Sequence, residues 1–176
     1  DCGKQNDINH SLTCKLGGYV VMCHNHIRDL EAEFLREICK DVQVEPQLLP
    51  VNTEDISSRN TGDQSRLDVS AVGLWGPCQR NFVDVRVFHP NSPSYADKSL
   101  TQLYCQHERE KRREYNQRII QVEKGSFTPL VFSTFGGMGE ECNKYHRRVA
   151  QLVSLKTKQS YAKIMEYIRT RLRFCL

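Results

Sequence analysis

Arg66-Leu-Asp-Val-Ser-Ala71 and Asn81-Phe-Val-Asp-Val-Arg-Val-Phe88 are the stretches whose reading decides the fold. They read as two strands of a hairpin. The first runs from Arg66 to Trp75, the turn is Gly76-Pro77-Cys78-Gln79, and the second alternates cleanly. Phe82, Asp84, Arg86 and Phe88 fall on one face, and Val83, Val85 and Val87 on the other. An unpaired charge on a buried face is heavily penalised. Asp84 and Arg86 therefore read either as an ion pair on the solvated face of an edge hairpin or as part of a site. In the second reading Asp68 joins them: two carboxylates converging on one point make an all-oxygen site suited to Mg²⁺ or Mn²⁺. A cation beside them can stabilise charge developing on a phosphate. If the turn is Gly76–Gln79 and the ladder regular, Asp84 faces residue 71 and Asp68 points to the opposite face. The site reading thus predicts a bulge near Gly73 or a different register.

Outward from the hairpin, the chain has the bulk of a folded domain. Its 176 residues, 39% hydrophobic and 26% charged, exclude a disordered polar tail. There is no run of eighteen apolar residues and no signal-peptide pattern, so neither membrane insertion nor secretion is expected. Eight scattered cysteines in a chain this long fit free thiols in a reducing compartment better than a disulfide scaffold. The chain opens on Asp1 rather than Met, and a piece of a longer polyprotein is expected. The net charge is +4, but between Lys144 and Arg173 nine cations face the single acid Glu166. A solvated helix face usually mixes signs, so this bias favours a polyanionic partner.

The remaining elements follow in order. Cys2, His10 and Cys14, with Gly17-Gly18 behind them, read as most of a zinc knuckle lacking one ligand, or else as unrelated side chains. From His24 an apolar stripe of Ile27, Leu30, Phe34, Leu35 and Ile38 predicts a helix with Asn25 as its cap. Val42 to Pro50 predicts a short strand, and Val51 to Gln64 a polar loop. The longest helical pattern, Ser99 to Ile120, carries Leu103, His107, Lys111, Tyr115 and Ile119 on one face. That stripe packs on the sheet, and Lys111 and Tyr115 read either as snorkelling and packed side chains or as a cation and hydroxyl aimed at a phosphate. Phe127 to Thr134 predicts a strand. The glycines of Phe135-Gly-Gly-Met-Gly139 lack the Lys-Ser/Thr of a nucleotide loop, so they read as a tight turn. Two basic helices, about 140–156 and 160–173, close the chain. The fold class expected is α/β: a small mixed sheet with a central hairpin, flanked by helices.

The Arg-Leu-Asp and Asp-Val-Arg pair, with fifteen residues between them, resembles the PD-(D/E)XK nuclease core, with Leu67 in place of Pro and Arg86 in place of Lys. A guanidinium stays protonated, so Arg86 can neutralise but not serve as a base. A wider set is similar to the restriction-like endonuclease region of non-LTR retrotransposon polyproteins. It comprises the knuckle residues, His24-Asn25, Arg66, Asp68 and Asp84, and Lys111 with Tyr115. The resemblance implies a restriction-endonuclease-like core over 23–135, after a partial zinc knuckle (1–22) and before basic helices packing on the core (136–176). It implies a Mg²⁺- or Mn²⁺-dependent nick in DNA, with Asp68, Asp84 and the Val85 carbonyl holding the metal. Arg86 and Lys111 then stabilise charge, Tyr115 and His24 position phosphate or water, and Cys2, His10 and Cys14 hold zinc. It implies DNA, RNA and a reverse transcriptase of the same polyprotein as partners, in the nucleus. Two alternatives stand beside it: a catalytically inactive nuclease-fold module that binds nucleic acid, and a zinc-dependent interaction scaffold.

Overall fold

The structure is a computed structural model that describes residues 3, 7–14, 19–50 and 65–176. A short helical turn, α1 (Ile8–Ser11), precedes α2 (Tyr19–Ile38). Then come β1 (Lys40–Val44), β2 (Val69–Val72), β3 (Arg80–Phe88), α3 (Leu100–Gln121), β4 (Ser126–Ser133), α4 (Glu140–Thr157) and α5 (Tyr161–Arg173). The four strands lie in sequence order. β1–β2 and β2–β3 are antiparallel, and β3–β4 is parallel. A parallel pair needs a long crossover, and α3 supplies it. Ser99 starts that helix with a capping box: its hydroxyl accepts from the Gln102 amide while the Gln102 side chain accepts from the Ser99 amide.

The period-2 pattern of β3 sorts the molecule into two layers. Val83, Val85 and Val87 join Leu130 and Phe132 of β4 in one apolar core with Ile27, Leu30, Phe34 and Leu35 of α2. α4 and α5 close this core with Tyr145, Val149, Ile164, Ile168 and Leu172. On the other face, Phe82 packs with Tyr115, Ile119 and Phe127, and Phe88 with Leu103 and Val131. The stripe expected on α3 therefore does pack on the sheet: Leu103, His107, Tyr115 and Ile119 are buried, and Lys111 is half-buried between them.

Several boundaries differ from the sequence reading. α2 begins at Tyr19 rather than His24, so Asn25 lies inside the helix and is not its cap. The strand expected from Val42 is shifted to Lys40–Val44, and Glu45 leaves it with a positive φ of 51°. The strand expected from Arg66 to Trp75 keeps only Val69–Val72, with an isolated bridge from Arg66 to Gln47 before it. The polar loop expected at 51–64 lies outside the described residues. The glycine turn does have a steric purpose: a Cβ at Gly137 would lie 2.3 Å from the Tyr104 hydroxyl, and one at Gly139 2.2 Å from Glu108 Oε1. That same Glu108 oxygen accepts from the Glu141 amide in the first turn of α4, at 2.9 Å. The seven cysteines described are all free thiols.

Candidate active site

The connection between β2 and β3 decides the site. Gly76 to Gln79 does close a turn, the Gln79 amide donating to the Gly76 carbonyl, but Gly73 also donates to the Gln79 carbonyl. The loop is thus Gly73–Gln79, and the ladder pairs Val69 with Val83, Ser70 with Phe82 and Val72 with Arg80. The pairing ends at Val69, and just beyond it Asp68 comes close enough to Asp84 for its charge to act on the Asp84 carboxyl and for His24 to feel both acids. The register differs from the one a Gly76–Gln79 turn alone would set, and the break in the ladder at Asp68 brings the two acids together.

Asp68 stands where the ladder breaks, one residue before β2. Its amide donates to the Val83 carbonyl at 3.2 Å, and its own carbonyl accepts from the Glu45 amide at 2.8 Å. Its carboxylate Oδ2 takes the Val85 amide at 2.6 Å, a bond the backbone of a continuing strand would otherwise make. The same oxygen lies 3.2 Å from His24 Nε2, reaching over from the first half of α2. Asp84 is 6% exposed, on the α3 side of β3. Its Oδ2 lies 2.5 Å from Lys111 Nζ, yet no hydrogen-bond donor is directed at that oxygen. The contact is ionic, and the oxygen keeps a lone pair open to another partner.

Electrostatics follow from this crowding. Burial pushes the Asp84 carboxyl up to about 6; Lys111 pulls it down and the Asp68 charge pushes it up. His24 is raised above the usual imidazole value, chiefly by its hydrogen bond to Asp68, while burial opposes the shift. Tyr115 packs under the site with Lys111 Nζ 5.5 Å from its ring centroid. Burial, then the Asp84 charge, raise its phenol well above the ordinary value, so it stays protonated. Arg86 shares the Asp84 face but is exposed. It lines an open depression with His24, Lys111, His89, Ser92 and Tyr95. Burial chiefly lowers the pKa of His107, and hydrogen bonds from Gln106 and His107 that of Glu110 against burial; the Arg86 charge adds to both.

The structure therefore gathers His24, Asp68, Asp84 and Lys111, puts Tyr115 beneath them and Arg86 at the rim. One neighbour escaped the sequence reading. Arg28, one turn after His24, donates to Glu45 at 2.5 Å, and the Asp68 charge contributes to raising its pKa. Its spacing from His24 was the available signal. Glu31, also on α2, lies away from the site, buried in the other layer 2.7 Å from His146 Nε2. At the N-terminus Cys2 lies outside the described residues. His10 and Cys14 are one turn apart, the Cys14 amide donating to the His10 carbonyl at 2.8 Å.

Among the described residues no group of three or more His, Cys, Asp and Glu is arranged to hold a metal ion. Mg²⁺, however, is commonly held by one or two carboxylates, with water and substrate phosphate completing its shell. Two carboxylates close enough for one to raise the pKa of the other, one with an oxygen lacking a directed donor, fit that requirement. No protein-family model matches this chain, and no curated protein matches it. No helix among the described residues is long and apolar enough to cross a membrane.

Proposed function

We propose that this chain is a metal-dependent endonuclease of restriction-endonuclease-like fold that nicks DNA. The observation that carries this reading is the meeting of Asp68 with the buried Asp84, with His24 on Asp68 and Lys111 on Asp84. The order helix, three antiparallel strands, crossover helix and parallel strand supports it, being the arrangement expected of the PD-(D/E)XK core.

In this reading Asp68 and Asp84 hold Mg²⁺ or Mn²⁺. The Val85 carbonyl is a third donor, because a residue's N–H and C=O leave a strand on the same edge and the Val85 N–H points to Asp68. A metal held by these groups would supply the Lewis acidity that lowers the pKa of water and polarises the phosphate. Lys111 supplies from α3 the ammonium that Arg86 does not supply from β3, and it stabilises charge on the scissile phosphate. His24, anchored 3.2 Å from Asp68, positions the phosphate or water. Tyr115 stays a phenol, so its role is to donate a hydrogen bond or to pack beneath Lys111. Arg86, exposed at the rim, meets the incoming backbone. The resemblance to retrotransposon endonucleases adds the context: a nick whose 3′-hydroxyl primes reverse transcription, within a nuclear polyprotein carrying RNA and a reverse transcriptase. The zinc knuckle of Cys2, His10 and Cys14 belongs to the same proposal.

One observation favours the inactive nucleic-acid-binding alternative: both carboxylates already have cationic neighbours, His24 and Lys111. Nicking of supercoiled plasmid with Mg²⁺ or Mn²⁺ separates the two. Nicking abolished by EDTA and by Asp84→Asn supports the enzyme. Salt-sensitive DNA binding with no cleavage in either metal supports the inactive module.

A further inference from the structure

The two helices on the far side of the sheet from Asp84 carry a surface that the nicking chemistry does not use. Two shallow depressions adjoin there and share Arg147 and Tyr161. One continues along α5 past Arg169 and Arg173, and the other crosses α4 to Trp75 in the Gly73–Gln79 loop. Trp75 is 40% exposed and Tyr161 44%. The indole is held in place: its Nε1–H donates to Thr128 Oγ1 at 3.4 Å. Arg148 ties the loop to α4 by donating from Nε to the Leu74 carbonyl at 2.9 Å. Lys144 is taken up by Glu140 at 2.7 Å. Arg147, Arg169 and Arg173 form no salt bridge among the described residues, and Glu166 is the one acid in the groove.

We propose that this surface binds single-stranded nucleic acid, with bases stacked on Trp75 and Tyr161 and phosphates held by Arg147, Arg169 and Arg173. Cations alone would serve a duplex equally well. Two exposed rings among them serve a strand whose bases are unpaired, because only unstacked bases offer their faces. Every base has such a face, so the groove reads no sequence, and deoxyribose and ribose strands share the chemistry. The proposal goes beyond nicking and does not depend on Asp68 or Asp84.

The chain has one tryptophan, so its emission reports on this groove alone. The whole chain is titrated with oligo(dT), oligo(U), a duplex of matching length and polyglutamate, in EDTA. Either single strand should quench Trp75 saturably. The tighter of the two names the strand chemistry, and duplex and polyglutamate should leave the emission nearly unchanged. By anisotropy, Tyr161→Ala should weaken single-strand binding at least about fivefold and duplex binding less than about twofold. Trp75→Phe should keep single-strand affinity within about threefold, since a ring remains. Because the titration is run in EDTA, single-strand quenching in a chain that nicks nothing in Mg²⁺ or Mn²⁺ would uphold this groove and overturn the nuclease reading alone, so the two failures are distinguishable. Unchanged Trp75 emission at saturating oligonucleotide would overturn the proposal. So would equal quenching by polyglutamate, or equal loss of duplex and single-strand binding in Tyr161→Ala.

Discussion

The two faces of β3 are built from the same nine residues and meet very different neighbours. Val83, Val85 and Val87 enter an apolar core with α2, α4 and α5, where shape and volume are what matter. One residue out of phase, Asp84 and Arg86 face α3 between Phe82 and Phe88, where charge is what matters. The apolar framing holds the acid away from water, and this raises the Asp84 pKa. The lesson is that the stable face and the chemical face of one strand should fail differently when changed.

The largest divergence is expected at Asp84. Asp84→Asn should lower plasmid nicking by a thousandfold or so, of the order lost with a central electrostatic group, while circular dichroism stays that of the parent. Leu130→Ala, in the valine layer, should do the reverse. Denaturant melts should show a loss of about 2–5 kcal/mol, and nicking per folded molecule should be preserved. Should Leu130→Ala abolish nicking in molecules shown to be folded, the two faces are not separable as described.

How much of this could be read from the chain depends on which period was at stake. The alternation of β3 and the four-residue stripe from Leu103 to Ile119 are local periods, and both faces were legible from them. Register was not, because it depends on how the loop closes. A turn at Gly76–Gln79 is plain, but the outer bond from Gly73 to Gln79 is set by the neighbouring strands. The start of α2 was missed for a related reason. Val21 and Met22 are apolar yet exposed, so the first turn of that helix is out of phase with its buried stripe. The partners of Asp68 and Asp84, at His24 and Lys111, are long-range contacts that only the assembled layers create.

Smaller effects sharpen the same contrast. Lys111→Ala should reduce nicking about a hundredfold and leave metal binding in place, seen as an unchanged Mn²⁺ titration. In metal-free protein, Asp84 should also mark stability. Its raised pKa means the folded state keeps a proton the unfolded chain has released, so its contribution is present below about pH 4 and is lost as pH rises through about 6. Asp84→Asn should remove that decline, on the order of 2 kcal/mol, from a series of urea melts between pH 4 and 7. The smallest change is expected from Arg86→Lys. With Lys111 already at the carboxylate, nicking should move by less than about tenfold. Activity appearing only in Arg86→Lys would mean that the helix lysine cannot stand in for one on the strand.

The convergence of Asp68 and Asp84 on one cation is the claim everything at this site rests on, and Mn²⁺ binding followed by electron paramagnetic resonance tests it directly. Parent, Asp68→Asn and Asp84→Asn proteins would be titrated without DNA, since Mn²⁺ signals report free metal. The account predicts one site in the parent that either single substitution weakens at least about tenfold. Binding that survives both substitutions unchanged would place the metal elsewhere and contradict it.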